Sequence, residues 1–310
     1  MKKILITGGS GFVGTHLIHY LLNQSYLITA IDLASSHPAI NHPSFRYICA
    51  DLTKTGEWQA EVAKADVIIN LAGTNIFKIW NKKYKEKIYN SRILTTQHIV
   101  QALPNNRQIH LISTSAIGYY GDRRTEQLKE NESYGNDFLA TVCRDWEKAA
   151  NVAEMLSHHV TLTRFGVVLS HQGGAMPMML LSTLLFGGWK LGYGEQWFSW
   201  IHIEDLIRAI HFIIDQKKLI GPVNLCAPHP IQNKDLTETL AKALNRPAIF
   251  AMPARIVKLA LGEFGQALLS SQRAIPYRLD QAGFIFNHPY FVNAASDIVS
   301  LYRKQKNKKT

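Results

Sequence analysis

The feature that most constrains this chain lies at its start. An apolar run at 3–7 ends in Gly8-Gly9. Residues 12–23 then carry apolar side chains at helical spacing (Val13, Leu17, Leu21), and 27–33 is apolar again and contains Asp32. Strand, glycine turn, helix, strand is a βαβ unit. Gly8, Gly11 and Gly14 stand at G-x-x-G-x-x-G spacing, with Phe12 and Val13 opening the helix between them. Glycine lets the turn close tightly and lets backbone N–H groups reach a pyrophosphate, and the helix N-terminus adds a positive dipole end. A glycine trio alone is weak evidence; inside a complete βαβ unit it predicts dinucleotide binding. Asp32 stands 18 residues beyond Gly14. A carboxylate there accepts the ribose hydroxyls of NAD and repels the 2′-phosphate of NADP, and Leu33-Ala34-Ser35-Ser36 offers no arginine to hold that phosphate. The other reading is a turn or cap aspartate. NAD is the expected cofactor, with NADP second.

The alternation continues. Residues 46–49, 67–71, 108–113 and 160–165 read as strands, and 58–63, 82–103 and 138–156 as helices. This predicts a parallel sheet covered on both faces: a Rossmann-like, doubly wound α/β fold. After Leu169 the pattern changes. Residues 170–200 are rich in Gly, Met and Trp, 202–215 reads as a helix beginning near Glu204-Asp205, 221–226 as another strand, and the rest is mostly helical. The expected division is an NAD(P)-binding domain over 1–169, to which 201–227 returns, and a smaller lobe of 170–200 and 228–310. A substrate would sit in the crevice between them.

With 310 residues, 46 % hydrophobic and 18 % charged, the chain can bury a large core, which excludes a wholly disordered, collagen-like or coiled-coil protein. Cys49, Cys143 and Cys226 form no Cys-x-x-Cys pair, and His158-His159 has no partner motif, so no metal is expected. Met1-Lys2-Lys3 leads straight into a strand rather than a secretory leader. The longest apolar stretch, 176–189, is broken by glycine and falls short of the about 18 residues of a span. No membrane association and a cytoplasmic location are expected. The net charge of +11 gathers in two segments, Lys78 to Arg92 and Arg303 to Lys309. These are either basic faces for nucleic acid or phosphorylated ligands, or a solvated helix and a frayed tail; without a nucleic-acid motif, no nucleic-acid partner is expected.

Thr7-Gly8-Gly9-Ser10-Gly11-Phe12-Val13-Gly14 resembles the TGxxGxxG signature of extended short-chain dehydrogenases/reductases. Asn70-Leu71-Ala72-Gly73 resembles their segment beside the cofactor, and Asp51-Leu52 their adenine-contacting pair. Arg164-Phe165-Gly166-Val167-Val168-Leu169 and Trp200-Ile201-His202-Ile203-Glu204-Asp205-Leu206 resemble later motifs of nucleotide-sugar epimerases and dehydratases. Ser113-Thr114-Ser115-Ala116-Ile117-Gly118-Tyr119-Tyr120-Gly121, Cys143-Arg144-Asp145-Trp146-Glu147 and Gln196-Trp197-Phe198-Ser199-Trp200 point to an atypical, epimerase-like subgroup. Its added C-terminal domain resembles residues from about 248 to 295. The resemblance implies cofactor contacts at Leu71, Ala72, Gly73 and Ser113 as well as at the glycine loop, and a monomer or homodimer.

One departure bears on the chemistry. The resembled family uses a Ser/Thr and then Tyr-x-x-x-Lys on the next helix: the tyrosine moves a proton at the substrate hydroxyl, and the lysine lowers its pKa and holds the nicotinamide ribose. In that family a glutamate often lies four residues after the lysine. Anchored on Glu147, the lysine position holds Cys143 and the tyrosine position Leu139, while Ser115 fits the Ser/Thr. Tyr119 or Tyr120 is then the acid–base candidate, or an aromatic packed under the loop. Cys143 is a nucleophile or an inert helix thiol, and Asp137 a base or a helix cap. Lys148 is one residue out of register, rotated by about 100°, and is expected in solvent. Trp197 and Trp200 stack on a substrate or pack the core, and His202 and Arg164 meet a substrate or make structural pairs. Two functions follow: an epimerase or reductase acting by hydride exchange on a small polar molecule such as a sugar nucleotide, or a non-catalytic NAD(P)-sensing protein.

Overall fold

The computed structural model describes residues 1–35, 40–216 and 218–307; Ser36 of the loop after Asp32, and Lys308 and Lys309 of the basic tail, lie outside them. β1 (Lys3–Thr7) is apolar on both faces, and Ile4, Leu5 and Ile6 are buried, as a central parallel strand requires. The glycine loop leads into α1 (Phe12–Leu22) and then β2 (Leu27–Asp32), parallel to β1 with Ile6 opposite Ala30. β3 (Phe45–Cys49), α2 (Gln59–Val62), β4 (Val67–Asn70), α3 (Lys82–Gln101), β5 (His110–Ala116), the two-residue β6 (Gln127–Leu128), α4 (Phe138–Met155) and β7 (His159–Phe165) follow. The expected strands and helices of this half are present, with ends shifted by a few residues. The long helices start where side chains cap them: Asn81 accepts from the Tyr84 N–H, and Asp137 from the Ala140 N–H.

β8 (Val167–Ser170), β9 (Gly173–Gly174), α5 (Met176–Phe186), β10 (Trp189–Leu191), β11 (Trp197–Phe198) and β12 (Trp200–His202) form the next stretch. α6 (Ile203–Asp215) and β13 (Gly221–Leu225) then return to the sheet. β14 (Ile231–Gln232), α7 (Asn233–Ala243), β15 (Phe250–Met252), α8 (Ala254–Leu269), β16 (Arg273–Ala274), α9 (Tyr277–Gln281) and α10 (Phe291–Asn307) complete the described chain.

The main sheet has seven strands in the order β13-β7-β5-β4-β1-β2-β3, all parallel. This is the doubly wound α/β fold. α1 and α6 share one apolar core with one face of the sheet; α2, α3 and α4 share another with the opposite face. The strand order reverses between β1 and β4, which opens a crevice at the carboxyl ends of those strands. The second half builds its own core, in which Leu169, Met176, Trp200, Leu240, Phe291 and Ile298 are buried together. Four small sheets that composition does not announce stitch the rest of the chain: β12-β8-β9, β11-β14, β10-β15 and β16-β6. No described helix is long and apolar enough to cross a membrane.

Candidate functional site

The crevice begins at the glycine loop. Gly8 has a φ of +71°, and a Cβ there would lie 2.9 Å from the Leu71 carbonyl; a Cβ at Gly14 would lie 2.4 Å from Gly8 O. Glycine at these positions lets the loop fold onto the end of β4 and lets α1 start against it. Gly11 stands at the N-cap of α1 and offers no side-chain cap, so the first N–H groups of Phe12–Leu22 are left to solvent or to an anion. Phe12 is half-buried, and its ring fills the space beside Gly173. Val13 packs against the α1 core.

The carboxylates expected on the adenosine side are partly spoken for. Asp32 Oδ2 accepts from the Ser10 hydroxyl at 2.5 Å and from the Ser10 N–H at 3.1 Å, and Oδ1 accepts from the Leu33 N–H at 2.8 Å. The carboxylate is therefore turned onto the glycine loop. Asp51 closes its own turn, accepting from the Thr53 hydroxyl at 2.6 Å, which holds its carboxyl below the usual range. The Leu52 side chain is buried in the core, and its carbonyl oxygen lies 3.0 Å from His98 Nδ1.

On the other side of β1, Leu71, Ala72 and Gly73 follow β4, and Ser113 and Ser115 face the α3–α4 side from the end of β5. The Ser113 hydroxyl is buried and makes no hydrogen bond to a described residue. Ser115 donates to Glu147 Oε1 at 2.7 Å. Glu147, from α4, is gripped by Arg164 of β7 through Nε at 2.8 Å and Nη2 at 2.8 Å. Arg164 also donates from Nη1 to the Tyr120 hydroxyl at 3.0 Å, and Tyr120 donates to Asn224 Oδ1 at 2.7 Å. Burial works against the Arg164 charge, but the Glu147 carboxylate outweighs it and holds the guanidinium pKa above its ordinary value. Arg164 is thus the structural ion pair; nearly all its donors are spent inside the protein.

This network separates the two tyrosines. Tyr120 is fully buried, with its hydroxyl both donating and accepting, and burial pushes its pKa far up. It serves as a pillar and has no opening to the crevice. Tyr119 keeps exposed surface, and the Arg164 guanidinium stacks on its ring at 3.5 Å. Burial raises its pKa, Arg164 opposes and Glu147 adds to the rise. Leu139 packs beside Gly118. The Cys143 thiol is pushed up to about 12 by burial and then by Glu147, which makes it inert at neutral pH. Asp137 caps α4, and Lys148 is exposed.

The remaining candidates lie in the lobe. Trp200 is fully buried, donates from its indole N–H to His229 O at 3.2 Å and meets Phe291 edge-on, so the core reading holds for it. Trp197 is half-buried under Arg273 at 4.5 Å. His202 is the N-cap of α6; its Nδ1 accepts from the Glu204 N–H at 3.3 Å, and burial pushes its pKa down to about 4. His202, Glu204 and His288 converge as three ligand-type groups. The cap leaves the His202 proton on Nε2, which is the wrong tautomer for binding a metal through that atom. A cleft of about 510 Å³ lies between the N-terminal ends of α3 and α4 and α8, lined by Trp80, Lys82, Lys85, Tyr89, Phe138 and Glu263.

Two features escaped sequence reasoning. Glu147 served only to fix the register of the missing tyrosine and lysine, yet it is the hub of the buried network. Arg92, counted with the basic segment, turns inward against Gly73 instead of outward with Lys82, Lys83 and Lys87. A dinucleotide fits the residues present: the cradle accepts no Cβ at Gly8 or Gly14, the helix start is uncapped, and the Ser113 hydroxyl is unpaired.

The sequence model of the NAD dependent epimerase/dehydratase family matches residues 4–226, and a domain of unknown function (DUF1731) matches 252–298. Among similar proteins, the epimerase family protein SH2119 of Staphylococcus haemolyticus is 38 % identical over 302 residues, covering 96 % of this chain and 99 % of that protein. The crystal structure of human epimerase family protein SDR39U1 (isoform 2) with NADPH superposes with a TM-score of 0.82 at 28 % identity, over 96 % of this chain and 99 % of that one. A nucleoside-diphosphate sugar epimerase from Corynebacterium glutamicum gives a TM-score of 0.77 at 30 % identity, over 99 % of this chain and 61 % of that one.

Proposed function

We propose that this chain, which belongs to the NAD dependent epimerase/dehydratase family, binds NAD(P) along the carboxyl ends of β2, β1, β4 and β5 and exchanges hydride with a small polar substrate, for which a sugar nucleotide is the best-fitting class. The observation that carries this reading is the Gly8–Gly14 cradle, which opens on the same sheet edge as Ser115. The human relative solved with NADPH and the relative named as a nucleoside-diphosphate sugar epimerase support it. Asp32 is turned onto Ser10, and the human relative solved with NADPH keeps NADP beside NAD as the cofactor to test.

When bound, the nicotinamide supplies the hydride donor or acceptor. The chain does the rest. The Ser115 proton is committed to Glu147, so its oxygen accepts a hydrogen bond from a substrate hydroxyl and holds it in place. Arg164 grips Glu147 and holds it in orientation. Tyr119, with its raised pKa, stays protonated at neutral pH and is the proton donor to a developing substrate oxyanion. Lys82 lines the cleft between α3, α4 and α8, where a diphosphate would find positive charge, while Lys85 beside it is paired with Glu263 at 2.7 Å.

A panel of sugar nucleotides incubated with the protein and each nicotinamide cofactor tests this. Turnover is expected, and Ser115→Ala is expected to lower it by about a hundredfold or more with cofactor affinity kept. Full turnover by Ser115→Ala overturns the assignment. The inert Cys143 thiol and the apolar Leu139 favour a second reading, a protein that binds the cofactor and senses its redox state. Tight cofactor binding with no turnover of any substrate decides for that reading.

A further inference from the structure

Arg92 projects from α3 toward the end of β4. A Cβ on Gly73 would lie 3.0 Å from its Cζ and 3.2 Å from its Nη2, so glycine there lets the guanidinium lie against the end of β4. Nη1 donates to Thr74 O at 3.1 Å and to Ile88 O at 3.0 Å. Nε and Nη2 make no hydrogen bond to a described residue. The Trp146 ring supports the guanidinium from 5.2 Å. No carboxylate among the described residues pairs with it, whereas Arg164, the other inward-turned arginine at this edge, is gripped by Glu147. Burial pushes the Arg92 pKa down to about 10, the mark of a charge withdrawn from water without a counter-charge, and the groups that partly offset this are Cys143 and Tyr84. A half-buried guanidinium with two idle donor nitrogens costs stability unless a ligand uses them.

Its place indicates which ligand. The glycine loop at β1 marks the pyrophosphate, and Asp32 and Asp51, after β2 and β3, mark the adenosine side. β4 and β5 lie on the opposite side of β1, so the nicotinamide half of a bound dinucleotide runs past Gly73 toward Ser113 and Ser115. On that half α4 offers only Leu139 and Cys143, with no cation. We propose that Arg92 of α3 holds the nicotinamide-side ribose of the cofactor through Nε and Nη2, supplying from the neighbouring helix the positive charge that α4 lacks. This rests on the cofactor site proposed above and deepens it.

Calorimetric titration of the full chain with ADP, ADP-ribose, NADH and NADPH tests the proposal, because ADP-ribose differs from ADP by the ribose in question. Wild type is expected to bind ADP-ribose and the reduced cofactors more tightly than ADP. Arg92→Met is expected to lose about tenfold or more toward ADP-ribose, NADH and NADPH and to keep its affinity for ADP. Equal affinities in Arg92→Met and wild type overturn the proposal, as does an equal loss toward ADP, which would place the arginine on the diphosphate or in the fold. If Arg92→Met does not fold, Arg92→Lys replaces it: the charge stays but the forked donors go, and a several-fold loss confined to the ribose-bearing ligands is expected, with no loss overturning the proposal. Failure of wild type to bind any of the four overturns the cofactor site itself, and the role of Arg92 with it.

Discussion

At the scale of single residues, the buried charges differ in whether they are satisfied within the chain. Glu147 and Arg164 are both nearly inaccessible and are joined by two 2.8 Å contacts. Removing one partner leaves the other buried and alone. Arg164→Met is expected to destabilise the fold by about 3–5 kcal/mol, and adding Glu147→Gln to recover part of the loss. Urea unfolding of the two variants checks this; an unchanged midpoint for Arg164→Met would contradict the network. The sequence pointed to Ser115, Tyr119, Tyr120 and Arg164 but could not tell them apart. Adjacent tyrosines have the same composition on paper, and only the turn after β5 decides that Tyr120 enters the core while Tyr119 stays at the surface. Arg92 was hidden for a related reason. It sits at the end of a lysine-rich run, and a run of charge reads as a solvated face until the helix phase shows one member turned inward.

At the scale of elements, β1 to β5, β7 and the helices between them were legible because each strand is a short apolar run, α1 follows the glycine turn, and α3 and α4 begin at capping residues. The ladders of the second half were not. β8 and β12 have only four and three residues, and Gly166, Ser199 and a cluster of aromatics blur the apolar period around them. Capping also carries a cost that pH exposes. His202 caps α6 from a buried position and His110 lies on β5; burial lowers both pKa values to about 4, with His288 adding to the first and His159 to the second. Both rings are neutral in the folded chain and take up protons on unfolding. Their contribution to stability is therefore present above the unfolded histidine pKa and is lost as pH falls from about 6.5 toward 4, with a slope of about 1.4 kcal/mol per pH unit for each histidine. Unfolding free energies measured at neutral pH and near pH 5 check the sign; His202→Gln should flatten the slope, and equal stability at the two pH values would contradict the burial argument.

At the scale of the whole molecule, the helical C-terminal region is tied to the sheet domain through buried carboxylates. Asp205 accepts from the Asn287 N–H at 2.8 Å and the His288 N–H at 2.7 Å, and Glu130 accepts from the Asn224 N–H and the Arg278 N–H, each at 3.1 Å. These contacts join segments far apart in sequence, which is why no local pattern announced them. They fix the region against α6 and β13, while Gly173 beside the Phe12 ring and Gln172 at 2.8 Å from His16 Nε2 bring the second half to the start of α1. The claim on which the rest depends is that the glycine cradle takes a nicotinamide dinucleotide. The most direct test is to titrate the purified protein with NAD, NADH, NADP and NADPH in a calorimeter and to repeat each at saturation by thermal unfolding. Saturable binding of at least one of the four is predicted, with a stabilisation of about 2.7 kcal/mol at a hundred times its Kd. No heat and no shift with any of the four would contradict the account.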